Sequence, residues 1–269
     1  MRRGKPVGPI RAALGLILLL GTAGAAHADW QVYVEPGLGI SAATVDTDGQ
    51  ATTAVNPRLK GMDNDAAPLL SFATGLEIPM DELVPREWLL DVRLPDWPVR
   101  FELEGAFFRE YEFRTVALGE DFFTDYEATA TVLFNTWLDI PFVEIYRPIQ
   151  YTFGLGRQPR VRSWLEPASF YVGTGIGFSV LDIDGTSNVV SGDDDPIDFA
   201  WNVGAGINYA LTRSVLLSAG YRYVGLGKHE IDLAGGVPGP NDEVEYDPQV
   251  HEFRASIRIR VWDFLSPWR

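Results

Sequence analysis

The stretch FYVGTGIGFSV, Phe170 to Val180, places glycine at 173, 175 and 177. A dinucleotide-binding loop has the form G-x-G-x-x-G, with its third glycine set so that a strand can turn sharply into a helix. Here the spacing is two and two. Alternate residues of an extended chain point to opposite sides. The glycines therefore share one face, and Phe170, Val172, Thr174, Ile176, Phe178 and Val180 share the other. The segment reads as a strand with one bulky face and one nearly bare face.

The same alternation recurs along the chain. Val32, Val34, Pro36, Leu38, Ile40 and Ala42 interleave with Tyr33, Glu35, Gly37, Gly39 and Ser41. Further segments run from Leu70 to Ile78, Val99 to Glu104, Glu127 to Asn135, Phe199 to Tyr209, Val215 to Tyr223 and Glu252 to Val261. In the fourth, Glu127, Thr129, Thr131 and Asn135 are assigned to the inner face. Most segments approach the ~9–11 residues that a tilted transmembrane strand needs. A soluble sandwich also alternates, so the period does not separate water from lipid. The faces do: small residues suit a crowded bore, and a bulky aliphatic face suits acyl chains.

The amino terminus indicates where such strands would reside. Arg2, Arg3, Lys5 and Arg11 precede an apolar run from Ala12 to Leu20, and small residues close on Ala26-His27-Ala28. That order is expected of a secretory signal peptide covering residues 1–28, leaving a barrel domain over 29–269. The apolar run is shorter than the ~20 residues of a spanning helix. Cleavage would leave 18 basic residues against 37 acidic ones, a balance that argues against nucleic acid as a partner. With no cysteine there is no disulfide framework or thiolate metal site. An exported chain without a spanning helix can cross a membrane only as a closed barrel, because every strand amide must find a partner inside hydrocarbon.

The expected fold class is all-β: a closed antiparallel up-and-down transmembrane β-barrel of eight strands, with ten as the alternative if Gln150 to Gly156 adds strands. Leu211-Thr212-Arg213-Ser214 reads as a tight periplasmic turn, and the long acidic links as outer loops. Two further periplasmic links, 79–98 and 140–167, are long and rich in Trp, Pro and Arg, and are read as amphipathic caps on the inner rim. Trp30, Trp97, Trp137, Trp164, Trp262 and Trp268 fall at periplasmic ends, as an interfacial girdle would.

FYVGTGIGFSV, FAWNVGAGINYALTRSVLLSAGYRYVGLG, HEFRASIRIRVW and NTWLDIP together resemble the small eight-stranded outer-membrane barrels of Gram-negative bacteria. The likeness is to the opacity-protein family, related to the transmembrane domain of outer-membrane protein A. It covers about residues 126–262, and the first three strands by pattern alone. The resemblance implies a lipid-embedded barrel with variable surface loops, serving adhesion, envelope stability or host interaction without catalytic residues. The chain departs from the pattern in its long inner links and in its end, WDFLSPWR.

Up-and-down order points Glu35, Glu77, Arg100, Glu102, Glu104, Arg222, Glu252, Arg254, Arg258 and Arg260 into the bore. An uncompensated buried ion costs several kcal/mol, so these groups are expected to form a lumenal ion network, with Arg258 or Arg260 reaching Glu35. A plug and a gated solute path are both open readings. Asp182, Asp184, Asp193, Asp194 and Asp195 are weak candidates for calcium, since neither D-x-D-G run continues into a twelve-residue loop pattern.

Ahead of any structure, no catalytic residue and no cofactor are expected. His229 and His251 lack the neighbours that would make a nucleophile and base. The expected protein is a monomeric outer-membrane barrel whose partners are outer-membrane lipids and lipopolysaccharide, with an extracellular protein partner for its acidic loops. A narrow porin and a lipid A-modifying enzyme are the alternatives.

Overall fold

In the computed structural model, the described residues are 30–50, 58–83, 95–117, 120–153, 159–186, 191–194, 197–227, 229–232 and 243–261. Both glutamate-rich and glycine-rich stretches become strand. The order is β1 (Gln31–Gln50), β2 (Arg58–Pro79), α1 (Met80–Leu83), β3 (Pro98–Ala117), β4 (Glu120–Pro141), α2 (Phe142–Thr152), α3 (Pro159–Leu165), β5 (Ala168–Thr186), β6 (Ser191–Asp194), β7 (Ile197–Ala210), β8 (Val215–Gly225), β9 (His229–Asp232) and β10 (Glu243–Arg260). Each long strand pairs antiparallel with the next, and β1 pairs with β10 to close the barrel. The barrel therefore has eight strands, β1–β5, β7, β8 and β10, while β6 and β9 are short additions on β5 and β10. The ten-strand alternative does not hold: Gln150 to Thr152 end a helix instead of starting a hairpin.

The in-and-out assignment follows the alternation. Leu38, Ile40, Ile176 and Ile207 are 66, 60, 58 and 51% exposed on the outside, where lipid lies. The opening glycines face inward and make room for side chains of the neighbouring strands. A Cβ on Gly175 would meet the amides of Asn135 and Asn202, and one on Gly173 would meet the Trp137 ring. The Tyr171 ring likewise lies across Gly206 and Gly220.

Two features depart from the sequence reading. The strands overrun the membrane: β2 and β4 have 22 residues each, about 70 Å of chain at ~3.3 Å per residue. The DTDG run at 46–49 and the DIDG run at 182–185, expected in outer loops, are strand. Second, the inner face changes parity in β3 and β4. Ala106 and Arg109 are both buried, as are Thr131 and Thr124, and the β4–β5 register shifts between Ala128 and Ala130. An extra residue in a strand swaps its faces beyond that point. Glu127, assigned inward from its period, instead pairs with Asp182, whose neighbours Leu181 and Ile183 point into the barrel.

Consequently the barrel reverses its polarity along its axis. At membrane level the bore is polar and the outside apolar. Beyond it, Val45, Tyr111, Phe113, Leu181, Ile183, Val224, Leu226 and Val250 form part of an apolar core. Glu110, Glu112, Asp125 and Asp184 are exposed on the outside of the same strands. The outer part is built like a water-soluble barrel.

The turn 211–214 is tight as expected, with Leu211 and Thr212 amides donating to the Val215 carbonyl at 2.9 and 3.1 Å. No helix is long and apolar enough to cross a membrane among the described residues. Helices α2 and α3 touch the ends of β4 and β5 but bury no residue. Residues 84–94 of the link 79–98, together with Trp262 and Trp268, lie outside the described residues.

Candidate functional site: the lumen

Alternation on neighbouring strands aims six acids and six arginines at one another. Glu35, Glu77, Glu102, Glu104, Asp139 and Glu252 face Arg100, Arg109, Arg222, Arg254, Arg258 and Arg260, so these lumenal charges balance among the described residues. All ten residues read from sequence as a lumenal network point into the bore.

At the periplasmic end, Arg258 Nε donates to Glu35 at 2.8 Å and its Nη1 to Asp139 at 3.2 Å. Arg260 goes instead to Glu77 at 2.7 Å. Arg100 sits between Asp139 at 3.1 Å and Glu102 at 3.4 Å, over the Tyr171 ring. Glu102 also accepts from the Tyr33 hydroxyl and the Trp137 indole, both at 2.8 Å. Trp137 is thus a buried lumenal donor, 4% exposed, and not a member of the interfacial girdle; its large ring fits because Gly173 gives it space. Trp164 is 73% exposed.

Higher in the bore, Arg222 and Arg254 both reach Glu104, at 2.9 and 3.0 Å, and Arg222 also pairs with Glu252. Asn135 donates to both Glu102 and Glu104 at 3.0 Å, and Asn202 donates to Asn135 at 2.7 Å. Arg109 closes the network 3.3 Å from Glu252. Sequence reasoning missed Arg109 because the parity change hides it. It missed Asp139 because the fourth segment was ended at Asn135, although continuing the period from Asn135 and Trp137 reaches it.

The network leaves little room. A cavity of about 20 Å³ lies among Glu35, Arg100, Glu102, Arg222 and Arg254, the size of a single water site. Above it lies the apolar core.

The acidic candidates lie elsewhere. Asp182 and Asp184 stand on β5 opposite Glu127 and Asp125, and Asp193 and Asp194 on β6 opposite Asp184 and Ile183. No group of three metal-ligating side chains is present among the described residues, and Asp195 is outside them. His251 accepts from or donates to the Tyr221 hydroxyl at 2.7 Å on the outer surface.

Comparison with curated protein sequences finds no match. Three solved structures are similar in outline. Neisserial surface protein A is 14% identical with a TM-score of 0.38, over 85% of this chain and 96% of that one. Ail, the attachment invasion locus protein of Yersinia pestis, is 12% identical with a TM-score of 0.36, over 85% and 99%. The outer membrane protein AlkL is 15% identical with a TM-score of 0.39, over 97% of each chain. At these values the assignment rests on a family model, that of the outer membrane protein beta-barrel domain, which matches residues 12–258. The chain belongs to the outer membrane protein beta-barrel domain family and is an outer-membrane protein.

Proposed function

We propose that this protein is a sealed, non-catalytic barrel that stabilises the envelope and presents its outer extension for surface interaction. The observation that carries this reading is the filled bore. An ion network below, with a cavity of about one water's size among its side chains, and an apolar core above both stand across the bore. Solute passage would require breaking buried pairs, at several kcal/mol for each ion left alone.

The outer extension carries carboxylates on its outside, with Glu110, Glu112, Asp125 and Asp184 exposed. That collar meets the lipopolysaccharide layer, where divalent cations can bridge carboxylates to phosphates. Its outward strands also supply the contact surface for an extracellular protein. Residues 1–28 serve as the export signal that precedes this barrel.

Planar-bilayer recording of the purified protein tests the reading. The expected result is the absence of discrete conductance steps. Stable single-channel current from wild-type protein would make it a narrow porin instead, and a mass shift of lipid A on expression would make it an enzyme.

A further inference from the structure

The link between β4 and β5 carries two helices whose apolar side chains are left exposed by the described residues. Pro141 ends β4 and Phe142 begins α2, so this helix leaves directly from the periplasmic rim. Phe142, Ile145 and Ile149 recur at intervals of three and four and continue to Phe153 at the helix end, which places them on one stripe. Ile145, Ile149 and Phe153 are 37, 43 and 72% exposed. Val143, Tyr146 and Gln150 turn a separate, half-buried side inward. Glu144 and Arg147 pair at 3.1 Å on the remaining side. In α3, Val161 and Trp164 are exposed at 38 and 73%, next to Arg160 and Arg162.

A helix of a water-soluble domain buries its apolar stripe. This one starts where the lipid-facing band of the barrel ends, so the nearest apolar medium is the inner leaflet. Its composition fits that boundary: aromatic and aliphatic residues on one side and arginine on the other. Charge agrees. Residues 142–167 hold four arginines and two glutamates, in a chain of net charge −15. A locally basic segment on an acidic protein is attracted to anionic headgroups.

We propose that α2 and α3 lie in the headgroup–acyl boundary of the periplasmic leaflet and bind anionic phospholipid, with the Phe142–Ile145–Ile149–Phe153 stripe in the acyl region. The pair acts as a foot that fixes the depth and tilt of the barrel from below.

The test uses the full-length barrel in nanodiscs holding one copy each, made of phosphatidylethanolamine with phosphatidylglycerol. Nitroxides replace Ile145, Ile149 and Trp164, with Arg147 and Tyr151 as opposite-side controls. Folding of each variant is checked by its heat-dependent gel shift. The first three positions should be open to oxygen and closed to a water-soluble nickel chelate, and the controls should show the reverse. Arg160→Glu with Arg162→Glu should weaken docking by roughly fivefold per arginine. Equal nickel access at all five positions would overturn the proposal. So would protection that appears only with two copies per disc or on adding periplasmic extract, because the occupant would then be protein.

Discussion

Arg109 and Glu252 stand 3.3 Å apart at the junction of the polar bore and the apolar core, with no exposed side-chain surface on either. The relationship is lopsided. Glu252 also holds Arg222, whereas the guanidinium nitrogens of Arg109 make no hydrogen bond to protein. Arg109 is the least compensated ion of the set.

Replacing a poorly bonded buried charge by an apolar side chain of similar volume is often neutral or stabilising, but removing its counterion is not. Arg109→Met is therefore expected to change unfolding stability by less than about 1 kcal/mol or to raise it, and Glu252→Gln to lower it by about 3–5 kcal/mol. Urea unfolding in detergent, followed by tryptophan emission, compares the two. A larger loss for Arg109→Met would show that the pair is worth more than its hydrogen bonds.

Arg258 holds two acids, Glu35 and Asp139, and has no exposed surface, whereas Arg260 at the rim holds Glu77 and is 19% exposed. Arg258→Ala should cost about 3–5 kcal/mol by removing from two buried acids a shared partner and leaving them only Arg100. Arg260→Ala should cost clearly less, since water can solvate what remains. The temperature of the heat-dependent gel shift ranks them, and equal shifts would contradict the burial argument.

Glycine spacing in the opening stretch has its own consequence. Gly175→Ala pushes into Asn135, which cannot yield without releasing Glu102 and Glu104. The expected loss is about 1–3 kcal/mol, the usual range for overpacking. Gly105→Ala meets only the Phe107 ring, 3.0 Å away on the lipid side, and should be nearly silent. Matching losses for both would argue against a rigid asparagine bridge.

Lipid contact is tested by depth. Val203, in the middle of β7, is 46% exposed, and Ile197 at its outer end is 69% exposed. Val203→Arg should cost about 2–4 kcal/mol at the bilayer midplane and Ile197→Arg only about 0–1 kcal/mol near the interface. Refolding equilibria into vesicles measure both, and an inverted order would place the membrane elsewhere on the barrel.

Much of this was legible along the chain. Alternation alone assigns eight strands, the lipid face around Ile176 and Ile207, and the inward direction of ten charged residues. It works because the side-chain period of a strand is local and a membrane demands uniformity outside. The rule fails where it is interrupted. The bulge near Ala128 exchanges the faces of β4 beyond it, so Glu127 turns out and Arg109 on β3 turns in.

By itself the sequence determined that the chain is a barrel, which side of each membrane-level strand is greasy, and that its bore is charged. Only the tertiary structure decided who pairs with whom. Arg222 meets Glu104 from 118 positions away and Arg258 meets Asp139 from 119. Those partners are chosen by stagger around a closed cylinder, and a ring of hydrogen bonds sets that stagger where no short window of residues can.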